Sequence, residues 1–168
     1  NQFNHAKCMS DQLSSFQALV ENHNPYQKEV IERFYQLHSE DVQVIDRWFS
    51  VQSISPSISV AGIRELMSHK LFTMTNPNRI RSVFGAFTQN HIQFHCQEGY
   101  QLMTEVIIEL DALNPQIAAR FASVFNHWRR FTSHYSKLQE AELKTISEVD
   151  NLSNNVYEIV HIALDGKI

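Results

Sequence analysis

The stretch Asn114-Pro115-Gln116-Ile117-Ala118-Ala119-Arg120-Phe121, running on to Val124-Phe125, decides the fold class. An Asn side chain can accept the orphan N–H groups at a helix start, and Pro at the first helical position has no donor to lose. Ile117, Phe121, Val124 and Phe125 then recur at helical spacing, so the segment reads as an amphipathic helix. Three of the four prolines follow Asn in this way. Asn24-Pro25 precedes Val30, Ile31, Phe34 and Leu37, and Asn76-Pro77 precedes Ile80, Val83, Phe84 and Phe87.

The same spacing recurs between these starts. It groups Leu13, Phe16, Leu19 and Val20; Val44, Ile45, Trp48 and Phe49; Val60, Ile63, Leu66 and Met67; and Met103, Val106, Ile107, Leu110 and Leu113. Two more patterns run through Tyr135, Leu138, Leu143 and Ile146 and through Val156, Ile159, Val160 and Ala163. The sum is about nine helices. Short connections favour antiparallel neighbours, which predicts an all-α, irregular array of the α-solenoid kind, HEAT- or armadillo-like. No fixed repeat period is visible, and Ser53-Ile54-Ser55-Pro56-Ser57 reads as a helix-to-helix turn.

Composition agrees. Four Gly and four Pro in 168 residues leave little turn chemistry for a hairpin-rich fold, and 43% hydrophobic content suffices for one core, so residues 1–168 read as a single domain. A net charge of −4, with no basic run beyond Arg129-Arg130, gives no footprint for nucleic acid or an acidic membrane. The longest aliphatic run, Val106-Ile107-Ile108, is far short of a membrane span. Cys8 and Cys96 make no disulfide framework, which fits a reducing, cytoplasmic setting. A first residue of Asn rather than Met reads as a fragment of a longer polypeptide.

Candidate chemistry is sparse. His91 and His95 stand four apart, but no Glu lies between them in a catalytic pattern and no third ligand is evident. The residues favour an exposed His91 and a His95 packed beneath the following loop on a backbone group. His5 and Cys8 share helical spacing near a terminus, where two potential ligands are more often incidental. No Gly-x-Ser-x-Gly elbow, phosphate loop or dinucleotide fingerprint occurs, and Glu140 and Glu142 sit among Lys137 and Lys144 as a solvated face. Trp48, Phe49 and Trp128 read as core aromatics.

The arginines carry more, because guanidinium stays charged and binds carboxylates bidentately. Arg81, between Ile80 and Val83, falls near the edge of an apolar face, with Arg79 pointing elsewhere. Arg120, between Ala118-Ala119 and Phe121, can lay its stem on buried surface and present its head to a cleft. For each, an intradomain salt bridge or helix cap is the competing role.

In order along the chain, Asp46-Arg47-Trp48-Phe49, Gln52, Ser55-Pro56, Phe72-Thr73-Met74, Asn76-Pro77-Asn78-Arg79-Ile80-Arg81, Gly99-Tyr100, Leu113-Asn114-Pro115-Gln116, Arg129-Arg130-Phe131 and Tyr157-Glu158-Ile159-Val160 resemble the C-terminal helical domain of the bacterial aminopeptidase N family, the zinc-dependent alanyl aminopeptidases. The departures are local: Gln97-Glu98 stand where the family has a longer glycine segment, and Asp165-Gly166-Lys167 extend the end. The resemblance implies a parent enzyme that releases N-terminal residues from peptides with a zinc-activated water. It also implies that this segment closes and lines the substrate cavity against the catalytic domain of the same polypeptide, with Arg81 and Arg120 facing the cavity as substrate-binding residues. The family's His-Glu-x-x-His helix is nowhere in these residues, so zinc belongs to the parent and the segment alone is expected to be inactive. The alternative is a free-standing helical scaffold that binds a peptide or protein partner.

Overall fold

The structure is a computed structural model that describes residues 8–22 and 25–166. Among the described residues there are nine α-helices and no strand. They divide between two compact units, Asn1–Phe72 with Asn78–Asn90, and Thr73–Pro77 with His91–Ile168.

In the first unit, α1 (Met9–Glu21), α2 (Gln27–His38) and α3 (Val42–Ile54) pack on one another, followed by the short α4 (Val60–Met67) and α5 (Pro77–Ile80). Phe16 of α1 and Phe34 of α2 are fully buried and stack with ring centroids 4.2 Å apart. Burying each such side chain contributes roughly 1.5–3 kcal/mol. Trp48 of α3 is buried and donates its indole N–H to the Ile31 carbonyl at 3.0 Å, so its polar edge is satisfied. Asp41 caps α3 through Gln43 and Val44 N–H at 3.0 and 3.1 Å.

One helix start and the course of another helix depart from the sequence reading. Asn24 lies outside the described residues, and Pro25 sits in a turn, with α2 beginning only at Gln27. That start is pinned by the Gln27 amide, which donates to the Val20 carbonyl and the Ser57 hydroxyl, both at 2.7 Å. On α2, Phe34 is fully buried and Leu37 is exposed. The helix after Asn76-Pro77 begins at Pro77 as expected, but it widens at once into a π-helical segment, Arg81–Gly85. Ser53 and Ile54 still belong to α3, so the connecting turn is 55–59, tied down by the Ser55 hydroxyl on the Val20 carbonyl at 2.9 Å.

A buried ion pair braces this unit. The Arg79 guanidinium lies 2.7 Å from the Asp46 carboxylate and 5.0 Å over the Phe49 ring, with the Arg79 side chain 6% exposed and that of Asp46 21%. Nearby, His69 is set among Tyr35, Trp48 and Phe49 at ring separations of 5.2, 5.1 and 5.6 Å, and its Nδ1 accepts the Leu71 N–H at 3.2 Å. Burial, then the Lys70 and Arg79 charges, hold its pKa below 6.5 against the opposing pull of Glu32.

In the second unit, α6 (Gln97–Leu113) packs on α7 (Pro115–Ala122) and α8 (Ser133–Ser147), and α9 (Asn154–Asp165) packs on α7 and α8. Short 3₁₀ turns, Ser123–Phe125 and Trp128–Arg130, join α7 to α8. Asn114 caps α7 as its sequence predicts, accepting the Ile117 N–H at 3.2 Å, with Pro115 at the first helical position. Gly166, at φ +72°, ends α9 in the left-handed conformation that glycine adopts freely. Arg129 donates to the freed Ala163 and Leu164 carbonyls of that end, where a cation also favours the helix dipole.

The buried Tyr100 organises the polar interior. Its hydroxyl receives the Gln139 amide at 3.1 Å and shares a hydrogen bond of 2.8 Å with His95 Nδ1. Burial, then the charge of His91, lowers the His95 pKa; burial pushes the Tyr100 phenol up to about 12.

Three stability measurements check this description. A Cβ at Gly99, in the first turn of α6, would lie 2.3 Å from the Phe94 carbonyl oxygen and 3.0 Å from that of Gln93. Helix propensity alone would make Gly99→Ala stabilising by about 1 kcal/mol, but a clash with backbone reverses the sign, and a loss of about 1–3 kcal/mol or more is expected in urea unfolding. A midpoint at or above wild type would contradict the packing. Arg79→Met leaves Asp46 without its partner and should cost about 3 kcal/mol, the low end for a buried pair because Asp46 keeps some exposure. Asp46→Leu added to it should recover part of that loss. Finally, unfolded His binds a proton at about 6.5 while folded His69 and His95 resist it, so their contribution is full above that pH and is lost as pH falls through the lowered folded values. Urea stability should therefore decline as pH falls below about 7, and His69→Asn with His95→Asn should flatten that decline.

Candidate functional site

Arg81 opens the π-helical segment in the first unit. Each amide of such a segment reaches back five residues, and the wider turn frees carbonyls for outside donors. The Ser50 hydroxyl, from α3, donates to the Ser82 carbonyl at 3.0 Å, the Ser82 hydroxyl to the Arg79 carbonyl at 2.8 Å, and the Thr88 hydroxyl to the Gly85 carbonyl at 3.1 Å. Val83 and Phe84 of the segment, and Phe87 just after it, are fully buried. Residues two apart on a helix point in nearly opposite directions. Arg79 is the one that turns inward, onto Asp46 and Phe49, and Arg81 turns out into solvent, which inverts the expected division between an edge-facing Arg81 and an Arg79 pointing elsewhere. Asp46 lies 33 residues away, so no local pattern could have signalled the pairing.

The exposed Arg81 overlooks an open depression of about 460 Å³, lined by Gln43, Asp46, Arg47 and Ser50 of α3 and by Asn78, Arg81 and Ser82. One Arg81 nitrogen stands 3.4 Å from the Asn78 side-chain oxygen, a long and weak contact. Arg47, which the sequence reading did not single out, is exposed on the same rim. A second hollow, of about 480 Å³, lies among the end of α1, the start of α2 and α4. Several of its polar side chains, Gln27, Ser55 and Ser57 among them, are engaged in fixing the chain.

Arg120 belongs to the second unit. It is exposed on α7, and the Ser123 hydroxyl takes its carbonyl at 2.6 Å. His91 and His95 lie in a turn rather than on a helix, their rings parallel with centroids 6.0 Å apart. His91 is exposed as expected; His95 is bonded to the Tyr100 hydroxyl instead of a backbone group and packs against Phe131. His5 lies outside the described residues, and Cys8 and Cys96 are free thiols, the latter capping α6 through the Gly99 N–H at 3.3 Å. Glu140 pairs with Lys144 at 2.8 Å on the surface of α8, while Trp48, Phe49 and Trp128 are core. Among the described residues, no group of three or more His, Cys, Asp or Glu is arranged to hold a metal ion, and no helix is long and apolar enough to cross a membrane. Among the described residues, the donor set therefore does not fit a zinc centre.

A profile of the family described as "Domain of unknown function (DUF3458_C) ARM repeats" matches residues 1–165. The chain is 33% identical over 167 residues to aminopeptidase N of Escherichia coli (strain K12) and 32% identical over 166 residues to aminopeptidase N of Haemophilus influenzae, covering 97% and 96% of itself and 19% of each relative. It superposes on a crystal structure of Legionella pneumophila aminopeptidase A in complex with aspartic acid with a TM-score of 0.92 at 28% identity, covering 98% of this chain and 20% of that one. The chain thus spans about a fifth of the length of the proteins it matches. It belongs to the DUF3458_C family of ARM-repeat domains and is homologous to the C-terminal region of aminopeptidase N.

Proposed function

We propose that this chain is the C-terminal helical domain of a cytoplasmic, zinc-dependent aminopeptidase, that it closes and lines the substrate cavity and the channel by which peptides enter, and that it has no catalytic centre of its own. The observation that carries this reading is the match over nearly the whole chain to about a fifth of aminopeptidase N. On this reading the zinc and the general base belong to the catalytic domain of the same polypeptide. This segment supplies enclosure and electrostatics.

Arg81 and Arg120 are the substrate-binding residues in this proposal. An exopeptidase must anchor the substrate ammonium with acidic groups near the reacting bond, so the far end of a short peptide, a carboxylate, points away from them. Both arginines are exposed, and among the described residues neither guanidinium is held in an ion pair. A charge-assisted hydrogen bond contributes roughly 1.5–3 kcal/mol where water is excluded.

Two measurements follow. In the full polypeptide, Arg81→Ala and Arg120→Ala should each lower kcat/KM for free-acid dipeptides and tripeptides by about ten- to a hundredfold, and for C-terminally amidated versions far less. Equal losses on both substrate types, or none, would make the two residues structural. The isolated 168-residue chain should neither retain stoichiometric zinc nor cleave alanyl or arginyl chromogenic substrates. Activity that survives purification and scales with bound metal would overturn the assignment.

A further inference from the structure

The depression beside Arg81 has an uneven charge distribution. Two guanidinium groups, Arg47 and Arg81, and one carboxylate, that of Asp46, line it, and the buried Arg79 engages that carboxylate at 2.7 Å. The remaining polar groups of the rim are partly occupied, since the Ser50 hydroxyl donates to the Ser82 carbonyl and the Asn78 oxygen faces Arg81. What remains is Arg47 and Arg81, both exposed, with no acidic group among the described residues in an ion pair with either. Arg47 leaves α3 next to Asp46 and one turn before Ser50, so the helix whose hydroxyl holds the π-helical segment also carries the second cation. Two guanidinium groups at one open depression favour a planar anion with two oxygens, because each can offer a pair of parallel N–H donors.

We infer that Arg47 is a second specificity-determining residue at this depression, binding the same peptide C-terminal carboxylate as Arg81. The inference rests on the reading of Arg81 given above and extends it to a residue on another helix. Arg47 is exposed and screened by solvent, so its effect is modest and falls on binding: KM rises and kcat stays.

The test uses the full polypeptide with Arg47→Ala, Arg47→Lys, Arg81→Ala and the double alanine variant, each assayed on matched free-acid and C-terminally amidated dipeptides. Arg47→Ala should raise KM for the free acids by about three- to fivefold and leave the amides within about twofold. Arg47→Lys should recover part of the loss, since it keeps the charge without the fork. The double variant should lose less than the product of the two single losses, as expected when two groups bind one carboxylate. If Arg81→Ala discriminates acid from amide and Arg47→Ala does not, Arg47 is a solvated surface residue and the inference falls while the reading of Arg81 stands. If neither discriminates, the reading of the depression falls as a whole.

Discussion

The pairing of Arg79 with Asp46 is the constraint on which the first unit's chemistry depends. A guanidinium with a side chain 6% exposed is tolerable only with a carboxylate beside it, and Asp46 on α3 supplies one while Phe49 covers the planar face. The pairing fixes α3 against the segment that follows Pro77. It also determines what the surface has left: with Asp46 occupied from below, Arg47 and Arg81 face solvent without a counter-charge among the described residues. The π-helical segment belongs to the same arrangement, because its freed Ser82 carbonyl is taken by Ser50, one turn beyond Arg47 on α3.

The second unit settles its polar interior differently. There hydrogen bonds join Gln139, Tyr100 and His95, and burial raises the Tyr100 pKa and lowers that of His95. Its last helix ends at Gly166 and is held by Arg129, which places a third kind of guanidinium role, a helix cap, in one short chain.

Much of the fold was legible because helix signals are local. Asn114-Pro115 caps α7 as its residues imply, and the groups of apolar residues at helical spacing fall on helical segments, although α7 ends at Ala122 and leaves Val124 and Phe125 to a 3₁₀ turn, and Val83 and Phe84 lie in the π-helical segment. The failures share a cause. Gln27, not Pro25, sets the start of α2 through contacts with Val20 and Ser57, and Leu37 is exposed although Phe34 is buried. The widened turn at Arg81–Gly85 depends on Ser50, 32 residues from Ser82, and Arg79 was misplaced because its partner lies equally far along the chain. Helical spacing could nominate Arg81 and Arg120 but not Arg47, which sits beside Trp48 in a pattern that otherwise reads as core.

The most direct test of the account is a crystal structure of the full polypeptide with a slowly cleaved free-acid dipeptide analogue bound. The account predicts that the analogue's carboxylate lies within hydrogen-bond reach of the Arg81 guanidinium and that Arg79 remains on Asp46. A carboxylate held by other residues, with Arg81 paired to an acidic side chain elsewhere in the polypeptide, would contradict it.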